Sequence, residues 1–167
     1  MSTYIKSAKR ALFCYTIFMT LQQTDTRLIR FFKKISIPSA RIGIFVVFFW
    51  FGILKVIRLS PASELVEHLF ERTIPFISFD SFLIGFGVFE CVIGILFLIK
   101  GCERIVIPLL LIHMITTFGP LVFLPQETWQ SFLVPTLEGQ YIIKNLVIMA
   151  CAAGIAAHLH PIKNKTA

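Results

Sequence analysis

The sequence predicts an all-α, polytopic membrane protein: a four-transmembrane-helix bundle with an N-terminal amphipathic interfacial arm. Two observations carry this. First, 56% of the 167 residues are hydrophobic and only 15% are charged, whereas soluble domains run nearer ~45–50% and ~25%. The mean hydropathy is +0.81, so water is not the solvent for most of this surface. Second, the apolar residues gather in four runs able to cross a hydrocarbon layer of ~30 Å, which takes about 20 helical residues. These runs lack polar/apolar alternation and are about twice the length of a barrel strand, which excludes a sheet. The net charge of +7 sits at the ends of the apolar runs and not on a globular face, so it orients a chain in a bilayer and gives no sign of nucleic-acid binding. The organisation expected is a basic arm over residues 1–40, a membrane domain over 41–160 and a tail over 161–167.

The arm begins with ALFCYTIFMTL, Ala11–Leu21, after Lys9 and Arg10. It has the charge and apolar order of a signal peptide, but QQTDTR follows in place of a small-x-small cleavage site, and eleven apolar residues are too few to span. An uncleaved insertion is the other alternative. The following RLIRFFKKI sets Leu28, Phe31, Phe32 and Ile35 against Arg27, Arg30, Lys33 and Lys34. Such a helix suits the surface of an anionic leaflet, at about 1 kcal/mol per base.

The first span is expected from Ile42 to about Leu59. Its uncharged core is only 13 residues, Ile42–Leu54, so it crosses only if Arg41 and Arg58 snorkel to the interfaces. The second runs from Phe79 to Ile99, the third from Ile105 to Leu124 and the fourth from Gly139 to about His160. Between the first two, Ser60 and Pro61 are a helix-start signal, and Leu65, Val66, Leu69 and Phe70 form an apolar face. Glu64, His68 and Glu71 share another face; a solvated acidic surface explains them better than a metal site, and no metal site is assigned. In LPQETWQSFLVPT, Trp129 and Phe132 suit an aromatic belt. Lys and Arg crowd before the first span, in KGCER and in the tail, whereas the loop with Glu127 and Glu138 has no base. The positive-inside rule then puts both termini in the cytoplasm. Cys14, Cys91, Cys102 and Cys151 contain no C-x-x-C pair, which excludes a dithiol motif or zinc knuckle.

Chemistry is expected where polar residues lie deep. Glu90 interrupts the second span, and a charge there costs ~2.5–3.5 kcal/mol on insertion scales, so it should face protein. Gly87 and Gly94, three and four residues away, put it on a stripe that a neighbouring helix can approach closely. Glu90 precedes Gly101 by 11 residues and His113 follows it by 12. At ~1.5 Å per residue the two reach nearly the same depth. His113, Thr116, Thr117 and Pro120 share one face of the third span. Lys55 and Lys144 approach from the outer side, and either can neutralise Glu90. Gln140 shares a face with Lys144, with Tyr141 and Asn145 on the adjacent stripe. The expectation is a polar, water-accessible pocket opening outward and closed at Glu90 and His113. The alternatives are structural pairing between helices and lysines that merely snorkel.

FFWFGILK, GFGVFECVIGIL and LEGQYIIKNLVIMA, in that order, resemble the DoxX-like superfamily of small four-helix membrane proteins, in particular its YkgB/RclC-type branch. The resemblance covers about residues 40–157. Residues 1–35 are not part of the family pattern, and the loop after the first span is shorter than in the RclC type. The resemblance implies a bacterial inner-membrane (plasma-membrane) protein linked to redox or oxidative-stress physiology. Members resemble a quinone-linked thiosulfate-oxidising subunit, and others are associated with resistance to oxidants such as hypochlorous acid. It carries over no catalytic residue. The expected partners are the bilayer, anionic lipid at the arm, and a quinone or redox protein. No cofactor motif is evident apart from that quinone. A small proton or solute carrier and a non-catalytic membrane interaction module are the competing functions.

Overall fold

A computed structural model of the chain describes residues 2–61, 63–73 and 78–161. The expected tail beyond Pro161, with Lys163 and Lys165, lies outside the described residues, as does the end of the SPASELVEHLFERTIPF loop. The protein is helical: α1 (Ser2–Val56), α2 (Ser63–Thr73), α3 (Phe79–Leu98), α4 (Glu103–Phe118), α5 (Pro120–Phe123), α6 (Pro125–Thr128) and α7 (Leu137–Ala156). Four segments are long and apolar enough to cross a membrane: Leu21–Val56, Phe79–Leu98, Glu103–Phe123 and Leu137–Ala156. The protein is therefore a multi-pass, all-α membrane protein.

Its contacts divide into two compact units, Met1–Ser39 and Ala40–Ala167. In the first, Leu28, Phe31 and Phe32 are exposed together with Arg27, Arg30, Lys33 and Lys34. Arg30 donates from Nε to the Thr26 carbonyl at 3.3 Å.

The second unit is the bundle. In the last part of α1, Ile44, Phe48, Gly52 and Lys55 are buried and recur at helical spacing, while Ile42, Val46, Trp50 and Phe51 are exposed. Large apolar side chains on the outside are what lipid requires, since tails solvate them as well as a core does. Glycines set how closely α1 meets α3. A Cβ on Gly87 would lie 2.6 Å from the Gly52 carbonyl oxygen, and one on Gly94 would lie 3.1–3.3 Å from the backbone at Phe45 and Phe49 and the Phe48 Cβ. At Gly87 only glycine permits this approach, and at Gly94 a larger residue would press the neighbouring backbone aside by a few tenths of an ångström.

α1 closes in a left-handed turn. Arg58 takes φ 60°, its amide bonds the Lys55 carbonyl at 3.1 Å, and Leu59 bonds that of Leu54 at 2.8 Å. This is the paired closure usually built on glycine. The chain then passes Pro61 before α2 begins at Ser63, later than the Ser60/Pro61 signal implies, because the Leu59 amide is still bound to α1. Phe70 of α2 packs on Phe82 and Phe79 of α3, with ring centroids 4.8 and 5.8 Å apart. Between α3 and α4, Gly101 adopts φ 96° and reverses the chain.

Two further local features depart from the sequence expectation. The loop after α6 folds into a two-stranded hairpin, β1 (Trp129–Ser131) with β2 (Val134–Pro135). The turn places Leu133 at φ 58°, where Gly or Asn ordinarily signals a hairpin, so no turn residue announced it. Within the hairpin, Trp129 donates its indole N–H to the Leu121 carbonyl at 3.0 Å. Arg41, in turn, does not snorkel outward. Its guanidinium pairs with Glu103 and donates to the Phe97 carbonyl at 3.1 Å. The last carbonyls of α3 have no helical partner of their own, and the carboxylate beside them gives the arginine its counter-charge.

Candidate functional site

The polar centre of the bundle is Lys55, Glu90 and His113, one residue each from α1, α3 and α4. Lys55 donates from Nζ to both carboxylate oxygens of Glu90, at 2.9 Å to Oε1 and 2.7 Å to Oε2. His113 Nε2 lies 3.1 Å from Oε1. An ionised carboxylate only accepts, and its partner is an ammonium, so Nε2 carries the hydrogen in that contact. The other face of the imidazole is also occupied: Thr117 Oγ1 is 3.1 Å from Nδ1. Thr116 donates instead to the His113 carbonyl at 2.7 Å. The relative exposures of Lys55, Glu90 and His113 are 6%, 6% and 4%. Among the described residues, no buried side-chain nitrogen or oxygen lacks a partner.

Aromatic rings complete the enclosure. Phe86 stacks on the imidazole at 4.9 Å and 11°, and Phe48 meets it edge-on at 5.1 Å. The Lys55 ammonium lies 5.7 Å from the Phe86 centroid, within reach of a cation–π attraction. Phe82 stacks on Phe86 at 5.6 Å, and Phe70 meets Phe82 at a tilt of 35° and 4.8 Å, so an unbroken ladder of rings runs from α2 to His113.

Five of the nine expected site residues meet here: Lys55, Glu90, His113, Thr116 and Thr117. Four do not. Lys144 lies over the Tyr141 ring at 4.7 Å, Gln140 and Tyr141 are exposed, and the Asn145 amide donates to the Tyr141 carbonyl at 3.3 Å. The rotation of α7 decides this. Gly139, Ile142, Ala152 and Ile155 turn inward, and a Cβ on Gly139 would collide with the Thr128 carbonyl and Pro135. That close fit fixes the helix with Lys144 on the outside. The neutralising base is Lys55 alone. In place of the expected open pocket, Lys55, Glu90 and His113 are buried, and Phe86 and Phe48 pack against the imidazole.

Outside the spans, His68 pairs through Nδ1 with Glu127 Oε2 at 3.0 Å, not with its helix neighbours Glu64 and Glu71. The hydrogen bond and charge of Glu127 hold the imidazole above its ordinary pKa. Among the described residues, no group of three His, Cys, Asp or Glu could hold a metal ion. Cys91, Cys102 and Cys151 are free thiols.

The residues that sequence reasoning missed are the rings and the second buried pair. Phe82, Phe86 and Glu90 recur every four residues, a spacing that puts them on one helix face, so the ladder had a readable signal. Arg41–Glu103 had none, since it joins positions 62 apart.

No family model, curated protein or solved structure matches the chain. The chemistry of the cluster is thus read from its own geometry: a neutralised carboxylate holds one end of an imidazole, and a hydroxyl holds the other, buried within the bundle.

Proposed function

We propose that the protein is a DoxX-like membrane subunit whose Lys55–Glu90–His113 cluster exchanges a proton with a redox partner dissolved in or bound at the membrane, a quinone being the chemistry that fits best. One observation supports this above the rest: an imidazole lies within hydrogen-bond distance of an already neutralised carboxylate. Lys55 alone suffices to neutralise Glu90, so a merely structural pair does not require His113. Quinone reduction consumes protons, and an imidazole is the side chain best suited to supply them near neutral pH. Electrons come from a partner protein, for the chain has no cofactor motif or cysteine pair of its own. The enclosure of the cluster weighs against the alternative of an open solute path.

In this reading the protein sits in a bacterial plasma membrane with both termini in the cytoplasm, as its Lys and Arg placement favours. The Arg27–Lys34 stretch of the arm lies on anionic lipid. A quinone analogue should bind the purified protein in lipid nanodiscs and lose affinity at least tenfold in Glu90→Gln and His113→Asn; unchanged binding in both would remove the cluster from that role. Orientation is tested by labelling Cys102 in a variant lacking the other cysteines, with reaction expected only from the cytoplasmic side.

A further inference from the structure

The Thr117 hydroxyl stands where two partners compete for its single hydrogen. Its Oγ1 lies 3.1 Å from His113 Nδ1 and 3.0 Å from the His113 carbonyl oxygen. A hydroxyl donates one hydrogen and accepts through its lone pairs. When the imidazole is neutral, with its hydrogen on Nε2 toward Glu90, the hydroxyl donates to the bare Nδ1. When the ring is an imidazolium, Nδ1–H donates to Thr117 Oγ1 and the hydroxyl hydrogen turns onto the carbonyl. Both states leave every polar atom of the cluster partnered, and the heavy-atom positions suit each of them.

The groups facing the ring limit where the proton can enter. From α1 comes Lys55 and from α3 Glu90, both committed to each other. Neither nearby alternative supplies a group there: the Cys91 thiol of α3 is bonded to the Phe49 carbonyl at 3.7 Å, and Lys144 of α7 is on the outside, over Tyr141. Nε2 is already held by Glu90 in both states. The exchanging nitrogen is Nδ1.

We propose that Thr117 is the positioning residue of the site: its hydroxyl rotates between Nδ1 and the His113 carbonyl and so lets His113 gain or lose one proton at Nδ1 in place. The balance is simple. One N–H bond at Nδ1 breaks as one O–H bond forms on the quinone being reduced, and the reverse holds when a quinol is oxidised; the Nε2–H contact to Glu90 persists, and the cluster loses or gains one positive charge. This rests on the proton-exchange reading given above and adds the atom at which exchange occurs and the residue that permits it.

Side-chain ¹⁵N NMR of histidine-labelled protein in nanodiscs, titrated with pH and assigned with His113→Asn, tests it. Removing the hydroxyl in Thr117→Val strands a charge-assisted donor in the cation but only an acceptor in the neutral ring, and the former is the stronger loss. The ratio of protonated to neutral His113 at a given pH should therefore fall about tenfold in Thr117→Val, the scale of one lost charged hydrogen bond. Thr117→Ser should stay within about threefold of wild type, as should Thr116→Val, whose hydroxyl serves only the carbonyl. Should Thr117→Val not fold, Thr117→Ala carries the comparison. A titration unchanged by loss of the Thr117 hydroxyl would overturn the assignment. A wild-type His113 that never changes protonation state while the protein stays folded would instead overturn the proton-exchange reading itself.

Discussion

Two carboxylates are buried at two levels of the bundle, and α1 supplies a base to each. Near the turn at Gly101, Glu103 meets Arg41; deeper in, Glu90 meets Lys55. The first pair is a fastening. Arg41 binds both Glu103 and the Phe97 carbonyl, and together they tie α1 to the end of α3 and the start of α4. The second pair carries an extra member, His113, held by Glu90 on one side and Thr117 on the other. A burial problem solved by two residues at one level is solved by four at the other. Stability alone does not ask for the excess, and this is why the deeper cluster, not the shallower one, is the candidate for chemistry.

The comparison can be broken by removing each acid. Glu90→Gln leaves an ammonium buried without its counter-charge, and the expected destabilisation is ~3–5 kcal/mol, measured by thermal or denaturant unfolding in detergent. Glu103→Gln should cost less, ~1.5–3 kcal/mol, the worth of a hydrogen bond to a charged group, because Arg41 retains the Phe97 carbonyl. It should also leave quinone-analogue binding and the His113 titration unchanged. If Glu103→Gln disturbed that titration as strongly as Glu90→Gln, the two levels would be one coupled system and the contrast would fail.

The glycine contact sharpens the same contrast. Gly87→Ala puts a methyl against the Gly52 carbonyl and the Lys55 Cβ, so α1 must back away. Overpacking of this kind costs ~1–3 kcal/mol, and here it should also lengthen the Lys55–Glu90 contact and make His113 exchange with water faster, as hydrogen exchange would report. The smallest effect is expected at His68, whose pair with Glu127 is exposed on both sides. Pairing raises its folded-state pKa above the ordinary 6.5. Its contribution is therefore full below that value and fades as pH rises through the folded-state pKa. Hydrogen exchange in α2 should quicken modestly over that interval, and His68→Gln should abolish the pH dependence.

Much of this was legible before any coordinates. The level of Glu90 with His113 follows from counting residues to Gly101, because helices joined by a short turn advance together. The glycine stripe beside Glu90 showed which face a neighbour must cover. The choice between Lys55 and Lys144 was not legible, because it depends on how far α7 is rotated, and the fit of Gly139 against Thr128 that fixes this is a contact between separate elements. Arg41 was hidden for a similar reason. By itself it looks like an interfacial snorkel, and only the arrival of Glu103 and the end of α3 gives it inward partners. The hairpin at Trp129–Pro135 was illegible because Leu133 occupies a turn position that a glycine would have advertised.

The contact between Lys55 and Glu90 is tested most directly by a double-mutant cycle on unfolding free energy, with Lys55→Met, Glu90→Gln and the two combined. If the charges neutralise each other inside the bundle, each single change is costly and the pair together recovers most of the loss, since neutral side chains of similar size replace buried ions without penalty. If instead the two effects simply add within ~0.5 kcal/mol, the residues do not meet, and the cluster at the centre of this protein does not exist.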